Sequence, residues 1–124
     1  MGKTKKILFV ENDIPSVKVI KFYLQNEYEI DYAYNGIDAL KLVNEKKYTV
    51  ILMDIDLGEG MNGLKTAHEI RNVPGYKDIP IVAVTAYAMR GDQENFLANG
   101  CTHYISKPFL KNELLSLLKS ITSL

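Results

Sequence analysis

Three short runs of the chain are apolar at nearly every position. They are residues 7–10 (Ile7, Leu8, Phe9, Val10), 50–53 (Val50, Ile51, Leu52, Met53) and 81–85 (Ile81, Val82, Ala83, Val84, Thr85). Runs this short read as strands, and their lack of polar alternation means that both faces of each strand are covered. Between them, apolar residues return at helical spacing. Val17, Ile20, Tyr23 and Leu24 follow Pro15, which suits a first helical turn. Ile37, Ala39, Leu40 and Val43 make a second helical face after a turn at Gly36. Leu64, Ala67, His68, Ile70 and Arg71 carry a third helix that stops before Pro74 and Gly75. Phe96 and Leu97 mark a fourth, ended by Asn99 and Gly100, a left-handed cap signal. Leu114, Leu115, Leu118 and Ile121 make the last. Ile30, Tyr32 and Tyr34 alternate with Asp31 and Ala33 as in a strand, and residues 103–106 form another short one. Five strands and five helices in strict alternation predict an α/β fold, a doubly wound parallel sheet with helices on both faces.

The chain of 124 residues corresponds to one domain, 1–124, with no linker and no repeat. Hydrophobic residues at 47% and charged residues at 24% are ordinary globular usage. Lys plus Arg and Asp plus Glu balance at 15 each, so no global field draws nucleic acid or an anionic membrane. No apolar run approaches the length of a membrane span, and the run after the basic start is too short for a signal peptide. Gly2 lacks the Ser or Thr that myristoylation requires at position 6, where Lys6 stands. The single cysteine, Cys101, excludes a disulfide framework and a four-cysteine zinc site; it suits a reducing cytoplasm and is expected to be buried and inert.

Open parallel sheets do their chemistry outside the carboxyl ends of the strands. Here the first strand ends in Glu11, Asn12 and Asp13, the third in Asp54, Ile55 and Asp56, the fourth in Thr85 and the fifth in Lys107 and Pro108. Any one of these acids could simply cap the next helix. Together they bring two acidic clusters to one edge, which is costly unless a cation stands between them. Oxygen donors without His or Cys select a hard ion such as Mg²⁺.

The runs Ile7-Leu8-Phe9-Val10-Glu11-Asn12-Asp13, Ile51-Leu52-Met53-Asp54-Ile55-Asp56-Leu57 with Met61-Asn62-Gly63-Leu64, Val84-Thr85-Ala86, and Ser106-Lys107-Pro108-Phe109 resemble, in order and over nearly the whole chain, a response-regulator receiver domain of two-component signalling. The resemblance implies a flavodoxin-like sheet in the order 2-1-3-4-5. It also implies a phosphoacceptor that takes its phosphoryl group from a histidine kinase or a histidine phosphotransfer protein, rather than a metabolic enzyme. On that likeness Asp54 is the phosphoacceptor. Glu11, Asn12, Asp54 and the backbone carbonyl of Asp56 hold Mg²⁺, with Mn²⁺ as a substitute. Thr85 supplies a hydroxyl and Lys107 an ammonium to the phosphoryl oxygens, and Tyr104 is the switch aromatic. Pro108 allows a cis bond that aims Lys107 inward. The likeness further implies a cytoplasmic protein and an output face made of the fourth helix, the fifth strand and the fifth helix. That face meets a downstream protein or, on phosphorylation, a second copy. Such a chain can also form part of a hybrid histidine kinase.

The sequence departs from the family at two places. Asn12 stands where the second acid of the metal pair is normally Asp, which predicts weaker Mg²⁺ binding unless Asp13 compensates. The loop after Asp54 lacks the common Met-Pro pair and is one residue longer than usual. Tyr87 and Asp56 flank the acceptor and are expected to prolong the life of the phosphorylated form.

Rival readings are a pseudo-receiver that only binds partners and a phosphatase of the haloacid-dehalogenase type, for which Asp54 would be the nucleophile and Asp56 the second Asp two residues on. In such phosphatases the nucleophile ends the first strand, whereas Asp54 ends the third. Gly58, Gly60 and Gly63 match a dinucleotide-binding turn, but after the wrong strand and beside three acids. His68 and His103 have no cysteine at metal spacing and read as a surface and a structural residue. The tyrosines at 23, 28, 32, 34 and 48 interleave with lysines but read as sheet-edge residues rather than a nucleic-acid platform.

Overall fold

The structure is a computed structural model and describes residues 5–55, 62–86 and 90–122. Five strands, β1 (Lys6–Val10), β2 (Glu29–Ala33), β3 (Val50–Asp54), β4 (Ile81–Thr85) and β5 (His103–Ser106), alternate with α1 (Ile14–Leu24), α2 (Gly36–Glu45), α3 (Gly63–Ile70), α4 (Arg90–Ala98) and α5 (Lys111–Thr122). The sheet runs β2-β1-β3-β4-β5 and every pairing is parallel. This is the flavodoxin-like order, with its switch point between β1 and β3.

Side chains alternate across the strands, so each apolar run feeds two cores. Ile7, Phe9, Val50, Leu52, Val82 and Val84 pack with Ile20 and Leu24 of α1 and Leu114 and Leu118 of α5. Leu8, Val10, Ile51, Met53, Ile81 and Ala83 point the other way, against Ala39 and Val43 of α2, Ala67 and Ile70 of α3 and Phe96. That arrangement is why the central strands show no polar alternation. No helix among the described residues is long and apolar enough to cross a membrane.

The edge strand departs from its predicted pattern. Tyr32 and Tyr34 are exposed and meet edge to face at 5.3 Å, and Tyr34 lies beyond the strand end. Ala33 is the buried position, because an edge strand is covered on one flank only. Of the other tyrosines, Tyr28 and Tyr48 are core residues. Gly36 is not a turn: it is the first residue of α2, buried, with Asn35 as N-cap accepting from the Asp38 amide at 2.8 Å. The buried stripe of α2 is then Gly36, Ala39 and Val43, and Ile37 is 64% exposed.

Helix α3 is tied to the rest by Arg71. Its guanidinium donates to the carbonyls of Tyr76 (2.8 Å), Ile79 (2.6 Å) and Gly100 (3.0 and 2.6 Å). One side chain thereby joins the end of α3, the loop into β4 and the turn after α4. Tyr76, fully buried, donates to the Lys46 carbonyl at 2.6 Å and accepts from the Tyr48 amide at 3.1 Å.

Candidate functional site

The four polar strand ends lie along one edge of the sheet. Glu11 directly follows β1, and its amide extends the β1–β2 ladder by donating to the Ala33 carbonyl at 2.9 Å. That bond holds the carboxylate at the edge of the sheet, where it is 1% exposed. Asp54 is the last residue of β3 and 3% exposed. The amide of Ile55 donates to the Val84 carbonyl at 3.1 Å, so the strand is still anchored just past the acid. Thr85 ends β4 and is 5% exposed. Its carbonyl accepts from the Lys107 amide at 2.7 Å, which carries the β4–β5 ladder to the lysine.

Lys107 is where these elements meet. Its ammonium donates to Glu11 Oε1 at 3.0 Å and stands 3.6 Å from Asp54 Oδ2. The peptide bond to Pro108 is cis. Burial opposes the ammonium's charge, but the hydrogen bond to Glu11 and the charges of Asp54 and Glu11 outweigh it. The group is held above the ordinary lysine range and is charged at neutral pH. Among the described residues no buried side-chain nitrogen or oxygen lacks a hydrogen-bond partner. The three charges, two negative and one positive, leave one excess negative charge in a largely buried site.

Asp13 does not join this set. It is the N-cap of α1, accepting from the Ser16 amide at 3.1 Å and from the Ser16 hydroxyl. Those bonds, the hydroxyl first, lower its carboxyl below the usual aspartate range. Its own amide donates to Glu11 Oε2 at 3.3 Å. Of the two alternatives left open by Asn12, weaker metal binding or compensation by Asp13, the second would draw on a carboxylate that already caps α1. Asn12 lies exposed at the rim between the two. Asp56, Tyr87 and the glycines at 58 and 60 lie outside the described residues. Gly63 opens α3, and Asn62 caps that helix by accepting from the Lys65 amide at 2.8 Å.

A groove of about 500 Å³ starts at Glu11 and Lys107 and runs between α1 and the segment after β5. Its walls are apolar, with Phe9, Ile20, Tyr23, Val84 and Phe109 among them. Tyr104 lies on β5 three residues before Lys107 and is 41% exposed. Among the described residues no three His, Cys, Asp or Glu side chains are grouped to hold a metal ion. Among the described residues, the oxygen-bearing side chains at this edge include the carboxylates of Glu11 and Asp54 and the amide of Asn12. His68 is exposed on α3, and His103 bonds Thr102 Oγ1 at 2.8 Å, a structural contact. Burial pushes the Cys101 thiol up to about 11, as expected of an inert core cysteine.

Two features of the site's surroundings escaped the sequence reading. The Arg71 clamp has only backbone carbonyls as partners, which no motif announces. The close approach of Gly63 to the backbone of Asp54 has a signal, a glycine opening a helix, but in the sequence that glycine stands out only as part of a Gly58-Gly60-Gly63 turn pattern.

Comparisons with known proteins add to this geometry. The model of the response regulator receiver domain matches residues 7–119. The polar-differentiation response regulator DivK of Brucella anthropi is 35% identical over 117 residues, covering 94% of each chain. Among solved structures, the chemotaxis protein CheY4 of Vibrio cholerae superposes with a TM-score of 0.91 at 27% identity, covering 95% of this chain and 98% of that one. The receiver domain of the sensor histidine kinase PA1611 from Pseudomonas aeruginosa gives 0.88 at 33% identity, covering 97% and 98%. That structure has a magnesium ion coordinated in its active-site cleft.

Proposed function

Since the chain belongs to the response regulator receiver domain family, we propose that Asp54 accepts a phosphoryl group from the phosphohistidine of a histidine kinase or histidine phosphotransfer protein, and that residues 1–124 act as one receiver domain. The observation that carries this reading is the meeting of Glu11, Asp54 and Lys107 around one ammonium, 3.0 and 3.6 Å away, beside Thr85. An oxygen of the Asp54 carboxylate attacks phosphorus as the bond to the imidazole nitrogen breaks. The nitrogen keeps the electron pair, and the product is an acyl phosphate.

On this reading Lys107 and the Thr85 hydroxyl donate to the phosphoryl oxygens, a role supported by their lying at the same sheet edge as Asp54, and each charge-assisted hydrogen bond contributes ~1.5–3 kcal/mol. Catalysis of such a transfer is chiefly positioning and electrostatic stabilisation. The excess negative charge and the all-oxygen donor set fit a hard divalent cation. Glu11, Asn12, Asp54 and the Asp56 carbonyl would hold Mg²⁺, or Mn²⁺ in its place. When bound, the ion supplies charge neutralisation between acceptor and phosphoryl group. Asn12 offers a neutral oxygen, so the site binds the ion less tightly than a two-acid pair would.

Output passes through α4, β5 and α5, where Leu97 is 57% exposed and Tyr104 41%. Exposed apolar side chains such as these suit a protein partner or a phosphorylation-dependent second copy. Phosphorylation biases this face through Thr85 and Tyr104 by a shift between two states. The chain works in the cytoplasm as a signalling module, free-standing or within a hybrid histidine kinase, and contacts neither nucleic acid nor membrane directly. Incubation with acetyl phosphate and Mg²⁺, read by intact-mass spectrometry, tests the reading. One phosphoryl group should appear, and chelation by EDTA or Asp54→Asn should abolish it. No addition would favour the pseudo-receiver, and sustained turnover of a phosphomonoester would favour the phosphatase.

A further inference from the structure

Glycine is a poor helix former, and nothing in the backbone of α3 asks for it at its first residue. The positive-φ glycines among the described residues are Gly75 at 92° and Gly100 at 102°; Gly63 is not one of them. Its backbone is one that any residue adopts, so on propensity alone alanine would serve better. The reason for glycine is space. A Cβ at Gly63 would overlap the carbonyl oxygen of Asp54, stand 2.7 Å from the Cα of Ile55 and 3.0 Å from the carbonyl carbon of Asp54. All three neighbours are backbone, with no flexible side chain among them to swing away.

Both sides of this contact are held. Asp54 pairs in register with Val84, and the Ile55 amide donates to the Val84 carbonyl at 3.1 Å. On the helix side, the Gly63 amide donates to the Ile55 carbonyl at 3.2 Å. The Asn62 carbonyl accepts from the amide of Thr66 at 2.9 Å and from its hydroxyl at 2.8 Å. Thr66, Ala67 and Ile70 are fully buried, so the helix cannot roll outward without opening the core.

We infer that Gly63 is a positioning residue for chemistry at Asp54: its bare Cα lets the first turn of α3 bear directly on the acceptor's own peptide group and sets where the acceptor carboxylate stands against Lys107. This rests on the receiver reading above. An added methyl group must displace one side of the contact by about 1 Å. If the Asp54 peptide moves, its carboxylate leaves the 3.6 Å separation from Lys107. A misplacement of that size slows a positioned reaction by up to ~100-fold.

The test compares Gly63→Ala with Gly75→Ala in the full chain. The second variant strains a positive φ far from the acceptor and controls for a purely structural loss. Each is brought to a temperature well below its own unfolding transition, and phosphorylation by acetyl phosphate with Mg²⁺ is followed by intact mass. Gly63→Ala should react at least tenfold more slowly than the parent chain, while Gly75→Ala, though less stable, keeps the parent rate. Equal rates for Gly63→Ala and the parent, or the same slowing in both variants, overturn the inference. Should Gly63→Ala not fold, Asn62→Ala loosens the same turn without adding an atom; a slower reaction supports the inference and an unchanged one overturns it. If the parent takes no phosphoryl group, the receiver reading itself has failed. The placement is then read from the amide resonances of Asp54 and Ile55, which Gly63→Ala should shift and Gly75→Ala should leave in place; unmoved resonances overturn it.

Discussion

Replacing Lys107 by methionine keeps most of the aliphatic stem and removes the ammonium that stands between two buried carboxylates. At an effective dielectric constant of 20, the separations of 3.0 Å to Glu11 and 3.6 Å to Asp54 correspond to roughly 5 kcal/mol of attraction each. That gross gain is opposed by the cost of taking three charges out of water. Breaking a buried ion pair from one side costs about 3–5 kcal/mol. The Lys107 side chain is 32% exposed, and the water it meets lowers the expected loss to about 2–3 kcal/mol for the metal-free chain at pH 8. For a domain of this size that is roughly 8–12 °C in melting temperature.

The loss should depend on pH in a definite direction. Burial opposes the charge of the Lys107 ammonium, but the hydrogen bond to Glu11 and the charges of Asp54 and Glu11 hold it above the ordinary lysine range. Its contribution is therefore fully present below the unfolded value near ~10.4 and is lost as pH rises through the folded value, so the gap between Lys107→Met and the parent chain should hold through neutral pH and close at strongly alkaline pH. Calorimetry at several pH values in EDTA reads both quantities. A melting temperature within about 2 °C of the parent at pH 8, or a gap that stays open at strongly alkaline pH, would refute the electrostatic account of the site.

Three further outcomes follow from other contacts. Arg71→Lys leaves the carbonyls of Tyr76, Ile79 and Gly100 short of donors and should cost about 2 kcal/mol in urea unfolding, with little dependence on salt because the acceptors are uncharged. The Asp31 carboxyl is disfavoured by burial, yet bonds from Tyr48 at 2.7 Å and Lys46 at 3.3 Å outweigh that and hold it below the usual aspartate range. Its contribution is present above the unfolded pKa near ~3.9 and lost as pH falls through the folded value, so Asp31→Asn should cost about 1 kcal/mol at pH 6 and progressively less below pH 4. The Cys101 thiol, pushed up to about 11 by burial, should stay unreactive toward a disulfide dye at pH 8 until the chain is unfolded; rapid labelling of the native protein would contradict its placement.

The parts of the fold that could be read from sequence are those where one physical cause dominates. β1, β3 and β4 announce themselves because they are buried on both faces and carry polar residues only at their ends. β5 falls on the predicted residues 103–106, between a left-handed cap and a lysine-proline pair. The edge strand and α2 were read less well. Tyr32, Tyr34 and Ile37 are apolar by type but stand at positions that nothing covers, so periodicity could not tell them from core residues.

At the site, convergence was legible as polar residues at the ends of separate strands, once the strands were known to be parallel. The division of labour among the acids was harder to see. Asp13 and Glu11 differ by two positions, and only the Ser16 contact, three residues on, marks Asp13 as a cap. Arg71 was invisible for a simpler reason: its partners at 76, 79 and 100 are backbone groups, which carry no sequence identity.

The most direct test of the central claim locates the phosphoryl group by chemistry. An acyl phosphate, unlike a phosphate ester or a phosphohistidine, is reduced by borohydride to the corresponding alcohol. The chain is incubated with acetyl phosphate and Mg²⁺, quenched, reduced and digested, and the peptide spanning Asp54 is sequenced by tandem mass spectrometry. The account predicts homoserine at position 54 and at no other aspartate, and its loss when the phosphodonor is omitted. Reduction at Asp13 or Asp31 instead, or an intact Asp54 in a chain that has gained a phosphoryl group, would contradict it.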